Sequence, residues 1–290
     1  MQRKIVYFVV LLIVAIATCP AKGNREKFNF NANWHLCIGD IPEASNPEFD
    51  DSQWLIVTLP HAFNGDEAFK RDIVELTDTI CWYRKGFTLS EEDVQGKVFV
   101  EFEGVRQGAD VYLNGHHLGF SENGVMACGF DLTPYIKKGE NVLAVRCDNS
   151  WTYRSRKHNS RYQWNDRNFN ANYGGIPKNV WLHITDKLYQ TLPLYSDLGT
   201  TGTYIYATDF DIPNHRAVIH AESQVKNEDS KARTFIFCVQ VFDANGIEVT
   251  QFHGEQITMQ PGETRVVKAQ QLVHILINHK GFHFLQSCQF

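Results

Sequence analysis

Between Trp151 and Gly175 the chain reads WTYRSRKHNSRYQWNDRNFNANYGG. Tyr162, Trp164, Phe169 and Tyr173 are flat apolar surfaces; Asp166, Asn168, Asn170 and Asn172 are short hydrogen-bonding groups with few rotamers. A few polar groups set among aromatics is the usual makeup of a ligand pocket. Sugars present CH faces and hydroxyls together, so this mixture suits them. Tyr162, Trp164, Asp166, Asn168, Asn170 and Asn172 are the candidate substrate-binding residues. A second reading stands beside it: the aromatics are anchors for another domain packed on the loop. Arg154, Arg156, Lys157 and Arg161 make the first half basic. That half is either solvated surface or a contact for an acidic sugar or partner.

Other residues offer less. Glu101 and Glu103 share one strand face, and paired carboxylates about 5–5.5 Å apart are what retaining glycoside hydrolysis uses. The plainer expectation is a solvated strand face, and no catalytic residue is assigned. His116 and His117 are adjacent on a strand, point to opposite faces, and are read as ordinary hairpin residues rather than metal ligands. The seven cysteines, Cys19, Cys37, Cys81, Cys128, Cys147, Cys238 and Cys288, contain no C-x-x-C pair. They are read as isolated buried thiols, with disulfides as the alternative in an exported chain. Glycine-rich phosphate loops and H-E-x-x-H are absent, so neither cofactor nor metal is expected.

The elements that must hold the loop are strands. Lys97–Glu103 alternates, with Val98, Val100 and Phe102 on one face; Ala109, Val111 and Leu113 share a face, as do Leu143, Val145 and Cys147. Asn114-Gly115 predicts a two-residue hairpin turn with positive φ at both positions. Leu55–Pro60, Cys81–Phe87, His116–Phe120, Asn141–Asp148 and Asn179–Thr185 are further strands. After a crossing at Lys187–Ser196, six more are expected: Tyr204–Phe210, Ala217–Val225, Arg233–Asp243, Ile247–Phe252, Glu255–Met259 and Thr264–Ala269. The fold class is all-β: an antiparallel β-sandwich over 28–186, then an immunoglobulin-like β-sandwich over 187–290 that is incomplete at its C-terminal end.

The net charge of -5 argues against nucleic acid as a partner. Met1–Lys4 is basic and Ile5–Ala17 is apolar, shorter than the ~20 residues that span a bilayer. Residues 1–17 are expected to be a signal peptide, and the chain to be exported: periplasmic, cell-surface or secreted. Cleavage follows Ala17, or precedes a lipidated Cys19.

Five segments, FDDSQWLIVTLPH (Phe49–His61), WYRKGF (Trp82–Phe87), DVYLNGHHLG (Asp110–Gly119), FDLTPYIKKGENVLAVRCDNS (Phe130–Ser150) and GGIPKNVWL (Gly174–Leu182), keep an order that resembles the N-terminal sugar-binding domain of glycoside hydrolase family 2. This is the family of β-galactosidases and β-glucuronidases. The resemblance implies a jelly roll, an immunoglobulin-like domain and a downstream (β/α)₈ barrel carrying both catalytic glutamates. It also implies a galactoside-like carbohydrate as ligand, and accessory sugar contacts from Asp166–Asn172. The chain departs from the pattern: no barrel sequence follows, and ILINHKGFHFLQSCQF does not resemble the family's continuation. The expectation is a non-catalytic N-terminal portion of an exported glycosidase, its partner a catalytic barrel encoded downstream. The alternative is a stand-alone carbohydrate-binding module.

Overall fold

The computed structural model describes residues 25–72, 75–160, 172–243 and 245–274. Among the described residues twelve strands precede Lys187: β1 (Glu26–Asn29), β2 (Trp34–Ile38), β3 (Leu55–Val57), β4 (His61–Ala62), β5 (Ile80–Leu89), β6 (Lys97–Phe102), β7 (Gly108–Leu113), β8 (His116–Ser121), β9 (Cys128–Asp131), β10 (Gly139–Asp148), β11 (Gly175–Ile176) and β12 (Val180–Thr185). Ten of them form a four-stranded sheet, β1-β12-β6-β9, facing a six-stranded sheet, β3-β2-β5-β10-β7-β8, and β4 pairs with β11. The pairings are antiparallel throughout. Between the sheets lies one core that takes Val98, Val100 and Phe102 from one side and Val111, Leu113, Leu143 and Val145 from the other. The expected alternation is therefore the observed one. Asn114 and Gly115 have φ of 51° and 87°, as the hairpin turn requires. The Asn114 side chain ties the turn to β10, its amide donating to Asn141 Oδ1 and its Oδ1 accepting Val142 N–H, each at 2.9 Å.

A second core begins at the crossing. β13 (Leu188–Gln190), a helical turn α1 (Tyr195–Leu198), β14 (Thr203–Asp211), β15 (Arg216–Asn227), β16 (Arg233–Phe242), β17 (Glu248–Met259) and β18 (Thr264–His274) follow. β15 is the hub, paired with β13, β14 and β18, while β16 pairs with β17. Phe237, Val239, Phe252 and Val267 are buried between the two layers. The protein is all-β, a jelly-roll sandwich followed by an immunoglobulin-like one.

Three expectations are corrected. Ile247–Phe252 and Glu255–Met259 are one strand, β17, not two. A register shift opposite Ile236–Cys238 interrupts the alternation there, and Gly254 lies so close to β18 that a Cβ would meet Lys268 O at 2.5 Å. The face carrying Glu101 is not solvated, because the crossing covers its sheet: Phe99 packs with Tyr189, Leu192 and Leu194. The cysteines divide: Cys37, Cys81, Cys128 and Cys147 are free thiols, while Cys238 is disulfide-bonded.

Candidate functional site

The long loop leaves the sandwich at the end of β10 and returns at β11, so both of its ends start from paired strands. Its departure is fixed by carboxylates. Trp151 is buried and its N–H donates to Asp78 Oδ2 at 2.9 Å. Glu122, just past β8, accepts from Tyr153 Oη at 2.9 Å, Ser155 Oγ at 3.1 Å and Arg156 N at 2.6 Å. The Arg156 guanidinium binds Asp110 through both of its terminal nitrogens and lies 5.0 Å from the centre of the Phe120 ring. Burial pushes the Asp110 carboxyl up, but the hydrogen bonds from Arg156 and His117 outweigh it and hold it below the usual carboxylate range. Asp110 in turn holds the Arg156 guanidinium above its ordinary pKa. The basic half of the loop is thus partly engaged by the protein's own acceptors: Arg156 on Asp110, and Arg154 on Asn159 O at 2.7 Å.

The return is fixed by three asparagines. Asn172, the last of the six candidates, is buried. Its backbone carbonyl accepts from Asn64 Nδ2 at 2.7 Å and Asn149 Nδ2 at 3.0 Å, and its own amide donates to Asn149 O at 2.9 Å. Asn64 Oδ1 accepts Gly174 N–H at 3.0 Å. Gly174 leaves no room for a side chain, since a Cβ would meet the Phe63 ring at 2.3 Å and the Asn149 amide at 2.5 Å. Asn149 Oδ1, Asn172 Oδ1 and Gln107 Oε1 are buried acceptors with no hydrogen-bond donor among the described residues. Tyr173 is partly exposed, and Phe69, in the turn Gly65–Phe69 that follows Asn64, is 91% exposed.

Tyr162, Trp164, Asp166, Asn168 and Asn170 lie outside the described residues. The anchors Asn64, Asp110, Glu122 and Asn149 escaped sequence reasoning. Each is an ordinary polar residue whose partners are far away in the chain; Asp110 Oδ1 and Arg156, for instance, are 46 positions apart.

The remaining sequence candidates are engaged elsewhere. Glu101 Oε2 accepts from His183 Nε2 at 2.8 Å and sits 3.9 Å from Lys27 Nζ. Burial pushes Glu101 up, and His183 and Lys27 bring its pKa below the ordinary value. Burial lowers His183, whose Nδ1 is buried without a partner among the described residues, so the ring is neutral with its proton on Nε2. Glu103 accepts from Trp181 Nε1 at 2.8 Å and Asn179 Nδ2 at 2.9 Å. Each carboxylate has its own donors, and the two do not form an acid–nucleophile pair. His116 stacks on Tyr135 at 4.4 Å, whereas His117 Nε2 is 3.0 Å from Asp110 Oδ1. The two histidines diverge as expected, and no group of metal-binding side chains occurs among the described residues.

Comparison with known proteins agrees with this architecture. A family model described as "Glycosyl hydrolase 2 galactose-binding domain-like" matches residues 58–181. The chain is 38% identical over 234 residues to a β-glucuronidase of Formosa agariphila, and 32% identical over 235 residues to the β-galactosidase BoGH2A of Bacteroides ovatus. Each alignment covers 78% of this chain but only 23% and 25% of those relatives, so the chain spans about a quarter of their length. A solved β-glucuronidase from glycoside hydrolase family 2 superposes with a TM-score of 0.79 at 34% identity, over 87% of this chain and 27% of that one. The chain therefore belongs to glycoside hydrolase family 2, as its N-terminal galactose-binding-like and immunoglobulin-like β-domains.

Proposed function

We propose that this chain is the non-catalytic, sugar-contacting N-terminal portion of an exported β-galactosidase-like glycosidase. Its loop at 151–175 adds contacts to a galactoside-like carbohydrate held mainly by a catalytic barrel encoded downstream. The observation that carries the reading is the clamping of the loop at both ends, by Glu122 and Asp110 on one side and by Asn64 and Asn149 on the other. Ends so held have already lost part of the entropy that ordering a ligand contact costs. Its interior carries Tyr162, Trp164, Asp166, Asn168 and Asn170, the aromatic and amide mixture that sugars fit. The relatives, a β-glucuronidase and a β-galactosidase, act on glycosides by their names. Export rests on the basic start and the apolar run ending at Ala17.

Hydrolysis needs an acid and a nucleophile around the glycosidic bond. Glu101 and Glu103, the nearest approach to such a pair in the sequence, are held by His183, Trp181 and Asn179. The chain alone is expected to bind weakly and not to turn over. The test is calorimetric titration of the purified chain with galactosides and glucuronides, beside a chromogenic assay. Weak binding that falls several-fold in Trp164→Ala and Asp166→Ala supports the reading. Unchanged affinity in both variants removes the loop from the site. Turnover that survives repurification and disappears in the double variant Glu101→Gln, Glu103→Gln overturns the non-catalytic part.

A further inference from the structure

Two of the free thiols face each other in the core. A row of paired residues crosses the six-stranded sheet: Ile38, Cys81, Cys147, Ala109, Ser121. Cys81 on β5 and Cys147 on β10 are direct partners in it, and both are fully buried on the face turned to the core. Directly opposed residues of an antiparallel pair stand about 4.5–5.5 Å apart at Cα. A disulfide spans about 4.4–6.8 Å between Cα atoms, so the two positions lie within bridging range. Ala109, the next residue in the row, is small and brings no bulky side chain beside the sulfurs. The other two free thiols are placed differently. Cys37 is half-buried and donates to Ile38 O at 3.7 Å, and Cys128 belongs to the opposite sheet and hydrogen-bonds Ser121 of β8 across the core.

We propose that Cys81 and Cys147 are a disulfide site, joined when the chain folds in contact with an oxidised dithiol carrier, either a small-molecule disulfide or a protein one. One cysteine thiolate attacks the carrier's disulfide, forming a mixed disulfide and expelling one carrier sulfur as thiol. The second cysteine thiolate then attacks the mixed disulfide at the protein sulfur, closing the bond and releasing the other carrier thiol. The two cysteines lose two protons and two electrons, and the carrier disulfide is reduced by the same two electrons. The structure also sets the timing. Burial and the neighbouring Cys81 hold the Cys147 thiol well above its ordinary pKa, and neither sulfur is exposed. A buried thiol in apolar surroundings is inert, so the exchange belongs to the stage before the sheet closes. Once formed, the bond ties β5 to β10 around the chain from β6 to β9, which supplies strands to both sheets.

The test uses the whole chain without substitution. Protein reduced in denaturant is refolded in a mixture of reduced and oxidised glutathione, quenched in acid, alkylated without reductant, digested and mapped. The expected result is a linked peptide pair carrying Cys81 and Cys147, with Cys37 and Cys128 alkylated. Cys238, disulfide-bonded in the structure, reports that the refolding was oxidising. The proposal is overturned if Cys81 and Cys147 are both alkylated in material with native near-ultraviolet dichroism in which Cys238 is bonded. Pairing of Cys147 with Cys128, or with glutathione, overturns it equally. In a parallel arm, already folded and reduced protein is exposed to oxidised glutathione for the same time. Both thiols are expected to remain alkylatable after unfolding, and oxidation there as fast as during refolding overturns the timing.

Discussion

A single carboxylate, Glu122, accepts three hydrogen bonds from the start of the loop. Glu122→Ala removes the carboxylate that accepts all three bonds, and bonds to a charged group are each worth about 1.5–3 kcal/mol when their partners stay buried. Here Tyr153 and Ser155 are buried while Arg156 is exposed, so a loss of about 2 kcal/mol in urea unfolding is expected. Faster limited proteolysis between Tyr153 and Ser160 should accompany it. Trypsin cleavage at an unchanged rate would argue that the loop holds without this anchor. A second residue-scale prediction concerns pH. Glu101 has its folded pKa below the ordinary carboxylate value, so its contribution is present above about 4.3 and is lost as pH falls through the lowered folded value. His183 is also lowered; its unfolded form gains a proton below about 6.5 while the folded ring stays neutral. Both signs are the same, and the urea midpoint should fall with acidification from pH 7 to pH 5. His183→Gln should flatten that part of the profile and leave the steeper carboxylate part below pH 5. A His183→Gln profile superimposable on the parent's would remove the histidine from the account.

At the scale of elements, the loop depends on how closely β11 and the residue before it approach their neighbours. Gly174→Ala would drive a Cβ into the Phe63 ring and the Asn149 amide. Overpacking of this kind costs about 1–3 kcal/mol, and here it also strains the asparagine cluster that holds Asn172. We expect Gly174→Ala to lower the unfolding midpoint and to weaken any sugar affinity, whereas Gly246→Ala, at an open turn with φ of 78°, should affect stability alone. Equal sugar affinity in the two variants would separate the loop from binding. The strands themselves were legible wherever alternation was unbroken: β6, β7, β10 and β12 fall within two residues of expectation. The strand β17 was read as two because Gly254 and the register shift around it break the period of two. β4, β11 and β13 are too short to show a period at all.

At the scale of the molecule, a buried lysine joins the two sandwiches beside the apolar cluster of Phe99, Tyr189, Leu192 and Leu194. Lys97 Nζ lies 2.5 Å from Asp131 Oδ2 within the first and 2.6 Å from Glu228 Oε2 in the second, and Tyr189 Oη donates to Glu228 at 3.1 Å. Burial works to lower Lys97, but the two carboxylates outweigh it and raise its pKa. Lys97→Met removes the cation from two carboxylates that retain some contact with water, for a cost of about 2 kcal/mol, less than for a fully buried pair. Calorimetry is expected to resolve two unfolding transitions in that variant where the parent shows closer coupling; a single transition at the parent's temperature would exclude a coupling role. Hydrogen exchange should show the second sandwich less protected than the first. Its β16 pairs with β17 alone among the described residues, whereas the first sandwich is built on four- and six-stranded sheets. Equal protection would reject this. Local pattern was enough to determine the all-β class, the Asn114-Gly115 turn, the inward faces of the main strands and the position of the long loop, because each rests on neighbours within a few residues. Only the tertiary structure decided that Glu101 is covered, that Arg156 is spent on Asp110, that Asn64, Asn149 and Asn172 form one cluster, and that Cys81 faces Cys147. These are partnerships between residues far apart in the chain, set by sheet order and register, which a period of two cannot encode.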